Sequence, residues 1–203
     1  MNGPIKILVI DNFDSFTFNL VHLIESLDYS YEVHRNDVLS TLTPDEYSHL
    51  LIGPGPGLPK TSGSLMAFLN SWPKNKPVLG VCLGMQALLD MEGAEIKNLE
   101  TVFHGACDKV SILRSSRWFI DVNENFNAGR YHSWGYFRED IPPNYSVVAM
   151  DDSDIVMAVE HKSQPWFGVQ YHPESIMTEF SDVFLRNFVT IEKTKNPLPV
   201  SDL

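Results

Sequence analysis

Two cysteines, Cys82 and Cys107, are all that the 203 residues contain, and no C-x-x-C pair occurs. That argues against a disulfide framework or a thiolate zinc site. Basic charge is scarce too: 15 Lys and Arg stand against 26 Asp and Glu, a formal net charge of −11. A nucleic-acid or anionic membrane surface wants a basic stripe, so neither is expected as a partner. Long hydrophobic runs are missing, and nothing resembles a membrane span. Met1-Asn2-Gly3-Pro4 leads straight into a β-like run without a signal-peptide pattern. The cytoplasm is the expected location. What is present, 43% apolar and 20% charged residues, is ordinary for a soluble globular chain, and the length suits one well-buried domain.

Hydrophobic patterning outlines an α/β architecture. Ile5–Ile10 is a nearly continuous apolar run, the mark of a strand covered on both faces. It ends in the turn cluster Asp11-Asn12-Phe13-Asp14, where Asp14 or Ser15 is predicted to cap a helix through Phe18, Val21, His22 and Ile24. Tyr31–Arg35 and His49–Ile52 read as the next strands, 60–71 as a helix, and 77–81 as a fourth strand. Strands alternating with helices imply a parallel sheet with right-handed crossovers. Beyond residue 93 the runs shorten, at 95–97, 101–103, 108–113, 117–122, 145–150, 155–160 and 166–170, with a hairpin tip at Met150–Ile155. A helix over 181–192 closes a single domain, 1–192. Residues 193–203, polar and with two prolines, are expected to be a loosely held tail. The expected fold is an open, mostly parallel sheet with helices on both faces and a small antiparallel elaboration in the C-terminal half.

The chemistry gathers around Gly80-Val81-Cys82-Leu83-Gly84-Met85-Gln86. An apolar run, a sharp Gly-flanked turn and a helix describe a nucleophile elbow carrying Cys in place of Ser. A thiol there sits at a helix N-terminus, where free N–H groups and the macrodipole favour a thiolate. A buried core Cys fits the same stretch. His172, in Gln170-Tyr171-His172-Pro173-Glu174-Ser175, follows a strand at the carboxyl end, where open α/β sheets place their sites. Pro173 biases His172 to an extended conformation, which puts Glu174 on the same side to orient the imidazole. A plain turn fits that hexapeptide as well. Leu83, just after the nucleophile, offers one oxyanion N–H. Gly53-Pro54-Gly55-Pro56-Gly57, at the end of the third strand, offers a stiff loop whose glycines keep their donors.

Together with Tyr131-His132-Ser133 and the opening Asp11-Asn12-Phe13-Asp14-Ser15-Phe16-Thr17-Phe18-Asn19-Leu20, these blocks resemble the triad-type (class I) glutamine amidotransferases. Within them the chain is most similar to the glutaminase subunits (component II) of anthranilate synthase and 4-amino-4-deoxychorismate synthase. The resemblance implies a flavodoxin-like fold, with Cys82 as nucleophile, His172 as acid and base, and Glu174 as its orienter. It implies that Gly55, Pro56, Gly57, Leu83, Gln86, Ser133 and Trp134 bind L-glutamine. It also implies a chorismate-using synthase subunit (component I) as partner in a heteromer. No metal or cofactor is implied on this chain, and Mg²⁺ is expected on the partner.

Three positions depart from that pattern: Met85 stands where His is common, Ala106 where Lys is usual, and Trp134 where Leu is usual. A stand-alone γ-glutamyl thiol hydrolase and a catalytically silent regulatory subunit are the rival readings. Cys107, His22, His104 and His132 are read as packed, hydrogen-bonded or incidental. Asp151, Asp152 and Asp154 are read as a solvated hairpin tip, since they lack the spacing of a calcium loop.

Overall fold

The computed structural model describes residues 4–191, so the tail expected over 193–203 lies outside the described residues. The chain runs β1 (Lys6–Asp11), α1 (Thr17–Ser26), β2 (Ser30–Arg35), β3 (His49–Ile52), α2 (Leu65–Ser71), β4 (Val78–Val81), α3 (Leu83–Met91) and β5 (Lys97–Asn98). It continues through β6 (Ala106–Ile112), β7 (Asn125–Arg130), β8 (Trp134–Gly135), β9 (Tyr145–Asp151), β10 (Val156–His161), β11 (Trp166–Val169) and α4 (Ser181–Thr190). Nine strands form one sheet in the order β2-β1-β3-β4-β11-β10-β9-β6-β7. The first five are parallel neighbours, in the flavodoxin-like order. From β11 onward every pair is antiparallel. The antiparallel elaboration is thus a continuation of the same sheet. β5 and β8 pair separately.

Alternation along the strands divides the core into two layers. Ile7, Val9, Leu51, Leu79, Val81, Phe167 and Val169 face one layer with α1 and α4, through Leu20, Ile24, Phe184 and Phe188. Leu8, Ile10, Leu50, Ile52, Val78 and Trp166 face the other with α2 and α3, through Leu65, Phe68, Leu88 and Leu89. Because both faces are covered, the central parallel strands are fully buried along β3 and β4. Among the described residues no helix is long and apolar enough to cross a membrane.

The expected elements differ in detail. The helix proposed for 60–71 begins only at Leu65. Ahead of it lie a short 3₁₀ turn at Pro59–Thr61 and Gly63 at φ 55°. Phe16 occupies the N-cap of α1, with no side-chain cap. Asp14 bonds the Phe16 N–H instead, and Asp11 Oδ1 accepts from the N–H groups of Phe13 and Asp14 and from the Thr17 hydroxyl. The run at 117–122 is not a strand. Ser116 Oγ accepts the Trp118 N–H and tightens a 3₁₀ turn over Arg117–Phe119. The Asn187 amide donates to the Trp118 and Ile120 carbonyls, which removes their need for a strand partner. Residues 101–103 are also outside any strand, while β7 and β8 arise in stretches poor in β-branched residues.

Trp118 is held by that turn in the layer beside α4. Its ring stacks on Phe184 at 5.3 Å and 7°, and its Nε1 donates to the Tyr171 hydroxyl at 2.9 Å. Phe184, fully buried, also meets Phe119, Phe126 and Tyr171 edge-on or tilted. Phe184→Ala should therefore lower stability by about 3–5 kcal/mol. Urea unfolding checks this, and a loss below about 1 kcal/mol would mean that the aromatic cluster collapses around the gap.

Candidate active site

Four loops meet at the carboxyl ends of the parallel strands, and each carries one of the blocks singled out by the sequence. Cys82 follows β4 directly and is the N-cap of α3, with φ 52° and ψ −103°. Such a backbone in a non-glycine residue costs about 1–3 kcal/mol and persists only where the surroundings over-determine it. Here the constraints are plain. The Cys82 N–H donates to the Val169 carbonyl of β11 at 2.8 Å, and its own carbonyl accepts the Gln86 N–H at 3.1 Å. A Cβ on Gly80 would lie 2.4 Å from the Gly84 carbonyl carbon, and one on Gly84 would lie 2.4 Å from the Ile52 oxygen. Only glycines allow α3 to begin this close to β3 and β4. The thiol is buried, 6% exposed, at the end of a helix whose first N–H groups have no intrahelical acceptor.

His172 lies just beyond β11 and is 2% exposed. Its Nδ1 meets Glu174 Oε1 at 2.7 Å. Its backbone is tied on both sides: its N–H donates to the Gly129 carbonyl at 3.0 Å, and its carbonyl accepts the Thr178 hydroxyl at 2.5 Å. Phe16 and Tyr131 set their rings edge-on to the imidazole at 5.3 and 5.0 Å. Nε2 makes no hydrogen bond of good geometry, and the ring's remaining partner is Cys82. Burial works against a charged ring, but the interactions with Cys82 and Glu174 outweigh it and raise His172 to about 10. The imidazole is therefore a proton donor at neutral pH.

A cavity of about 330 Å³ opens onto this pair, with Pro54, Gly55, Pro56, Phe16, His104 and Tyr131 in its wall. Gly55 packs so tightly that a Cβ would lie 2.5 Å from Asn12 Cβ and 2.7 Å from Leu83 Cδ2. Its main chain is thereby placed beside the start of α3. The Asn12 amide secures the loop by donating to the Gly53 carbonyl at 2.8 Å. Gly57, at φ 76°, is exposed at the far end of the loop.

The remaining sequence candidates, like Gly57, are outside the wall of this cavity. Leu83 opens α3, and Gln86, on its first turn, donates from Nε2 to Gln170 Oε1 at 3.3 Å. Ser133 and Trp134 lie at the pairing of β8 with β5: the Ser133 carbonyl accepts the Leu99 N–H, and Trp134 is in register with Asn98. Met85 is fully buried, its Cγ 2.6 Å from where a Cβ on Gly168 would be, so it fills the contact between α3 and β11. Ala106 is in β6, paired with Arg130.

Sequence reasoning gave no role to Phe16, His104, Tyr131 or Asn12, all of which build the site. Asp11 and Asn12 carried a usable signal, since Asx side chains at a strand end commonly organise the following turn. Nor did it find the polar cluster behind Tyr131. Arg130, 1% exposed, pairs with Asp151 at 2.6 Å and Asp108 at 2.9 Å. Its Nε donates to His132 Nε2 at 3.1 Å, and His132 Nδ1 donates to the Trp134 carbonyl at 2.8 Å. Burial, the Arg130 charge and His172 lower His132 to about 3 against the pull of that carbonyl. His132 is neutral and structural.

The family model described as glutamine amidotransferase class-I matches residues 8–191. The chain is 44% identical over 192 residues to the "Putative anthranilate synthase component II" of Haemophilus influenzae, covering 95% of this chain and 100% of that protein. It is 36% identical over 185 residues to the "Aminodeoxychorismate/anthranilate synthase component 2" of Bacillus subtilis, covering 90% and 95%. Among solved structures, a "putative gmp synthase subunit a protein" of Thermoplasma acidophilum superposes with a TM-score of 0.82, covering 93% of this chain and 94% of that one. At 24% identity that likeness is one of fold.

The raised imidazole makes a pH prediction. His172 moves from 6.5 to about 10, so the stability it contributes is fully present below about pH 6.5 and is lost as pH rises through about 10. Glu174→Gln removes a carboxylate that holds the proton and brings the His172 titration down. Between pH 6.5 and 10 the wild type should lose more stability than this variant in urea unfolding. Equal slopes with pH would mean that the pair is uncharged.

Proposed function

The chain belongs to the class-I glutamine amidotransferase family, and from that premise we propose that it is a glutaminase subunit which releases ammonia for a chorismate-using synthase. The observation that carries this reading is His172, bonded to Glu174 at 2.7 Å, in the same cavity wall as a strained Cys82.

Cys82 Sγ attacks the side-chain amide carbon of L-glutamine. The developing oxyanion is held by the Leu83 N–H at the start of α3 and the Gly55 N–H across from it. His172 gives its Nε2 proton to the departing nitrogen, ammonia leaves, and a γ-glutamyl thioester remains. His172, now neutral, takes a proton from water, whose oxygen attacks the thioester carbon and yields glutamate and the thiolate. Glu174 keeps the ring oriented and stabilises its charge throughout. Gly55, Pro56, Gly57, Gln86, Ser133 and Trp134 are the proposed contacts of the substrate. The reading needs no metal or cofactor on this chain, and Mg²⁺ belongs to the synthase side.

The partner is drawn from the names of the relatives, which include anthranilate and aminodeoxychorismate synthase components. We therefore infer a heteromer with a component I subunit in the cytoplasm. A thiol and a base in one cavity, with a carboxylate bonded behind the base, weigh against a silent regulatory subunit. A stand-alone γ-glutamyl hydrolase would turn over longer γ-glutamyl substrates without a partner.

Cys82→Ala should abolish glutamate release from glutamine, a loss of at least about 10³-fold, while ammonia-dependent synthesis by a co-purified synthase is preserved. Glutamate release by the Ala variant at a wild-type rate would remove Cys82 from the nucleophile's role. The aromatic amine made by the co-purified complex identifies the pathway.

A further inference from the structure

Gln170 directly follows β11 and is fully buried, two residues before His172. Its backbone N–H is spent on the Met157 carbonyl of β10 at 2.9 Å, which fixes where its side chain starts. The side chain reaches across to the elbow. Gln170 Nε2 donates to Cys82 Sγ at 3.4 Å, and Gln170 Oε1 accepts from Gln86 Nε2 at 3.3 Å. That second bond matters for the first. A primary amide has a donor end and an acceptor end, and the Gln86 donor occupies the acceptor end. The NH₂ end is thereby turned toward the sulfur.

A charged sulfur in a buried site needs donors, because burial removes the water that would otherwise solvate it. The site offers the His172 imidazolium and the free N–H groups of α3, and the Gln170 amide is a further, neutral one. Being neutral, it stays in place when His172 gives up its proton in the chemical cycle. The sulfur therefore keeps a fixed hydrogen-bond partner both as the thiolate facing the charged ring and as the thioester facing the neutral one. Gln86 links this partner to the start of α3, where the substrate is proposed to bind.

We propose that Gln170 is a further catalytic residue of the site, donating from Nε2 to Cys82 Sγ to stabilise and aim the thiolate, with Gln86 fixing the orientation of its amide. This rests on the reading of Cys82 as the nucleophile, but its test needs no glutamine.

The test is the rate at which iodoacetamide labels Cys82, followed by mass analysis of the Cys82 peptide, in the full chain from neutral to alkaline pH. Gln170→Met keeps the volume and removes the donor, and Gln170→Glu keeps the shape and places an oxygen against the sulfur. With the loss of one hydrogen bond to a charged group, labelling at pH 7 should fall about tenfold in Gln170→Met. In Gln170→Glu it should fall at least as far. At alkaline pH the rates should converge. A role in packing alone would change the melting temperature without this pH-dependent gap.

Wild-type labelling at pH 7 in a folded Gln170→Met or Gln170→Glu overturns the proposal, and either variant suffices should the other fail to fold. If the wild type releases no glutamate from glutamine yet shows the tenfold gap, the function proposed above fails and the role of Gln170 stands.

Discussion

The backbone of Cys82, at φ 52° and ψ −103°, is the constraint on which the site depends. An isolated L-residue resists that conformation, so the chain on either side must hold it. On one side β4 lies between β3 and β11, paired to both, and cannot move without breaking the middle of the sheet. On the other side the first residues of α3, Leu83 to Leu89, are buried throughout. The two meet through Gly80 and Gly84, where there is no room for a single added carbon. Strain at the turn is thus stored against the burial of a whole helix. One consequence is that the sulfur is presented at the sheet's carboxyl edge with little freedom to turn away.

The antiparallel half of the sheet supplies the other half of the geometry. His172 is held by the Gly129 carbonyl at the end of β7, and Thr178 ties the two segments by accepting the Gly129 N–H and donating to the His172 carbonyl. The next residue along, Arg130, is buried and paired with Asp151, whose Oδ1 also accepts the N–H groups of Ser153 and Ile155 at the β9–β10 turn. Replacing such a pair by apolar residues can be neutral for stability, so its presence is weak evidence of a stabilising role. Its directional bonds do fix the strand end that carries Gly129 and Tyr131 relative to the hairpin. The Phe103 ring covers the guanidinium at 3.5 Å and lies against His132 at 5.2 Å.

The parallel half was legible in the sequence because its inner strands are covered on both faces and read as apolar runs; Ile7–Ile10 and Leu50–Ile52 are the clearest cases. The catalytic blocks were legible for a related reason. They lie within a few residues of those strand ends, so their order in the chain already places them at one edge. Elements whose definition is tertiary were not legible. Residues 117–119 look like a strand because Trp118 and Phe119 are large and apolar, but side-chain bonds from Ser116 and Asn187 satisfy the backbone instead. Asn125–Arg130 looks like a loop because its residues favour turns, yet burial of Phe126 and Ala128 against the core makes it a strand. The roles of Asn12, Arg130 and Gln170 depend on partners 21 to 88 residues away, beyond the reach of any local pattern.

Two buried histidines stand close together here, and their surroundings push them in opposite directions. His172 has Glu174 on Nδ1 and Cys82 as its other partner, both favouring a proton, and it rises to about 10 despite burial. His132 has the Arg130 Nε–H on Nε2 and the Trp134 carbonyl on Nδ1, an arrangement that only the neutral ring satisfies, and it falls to about 3. Groups of one chemical type whose environments separate them this far have separate tasks. The one with a carboxylate behind it and a thiol before it is equipped to move a proton. The one locked between a guanidinium and a carbonyl is equipped to stay neutral and hold the 130–134 segment in shape. Each also favours the other's state, because a charged His172 discourages a second charge on His132. The difference between the two rings thus follows from their hydrogen-bond partners, independently of the sequence motif in which either lies.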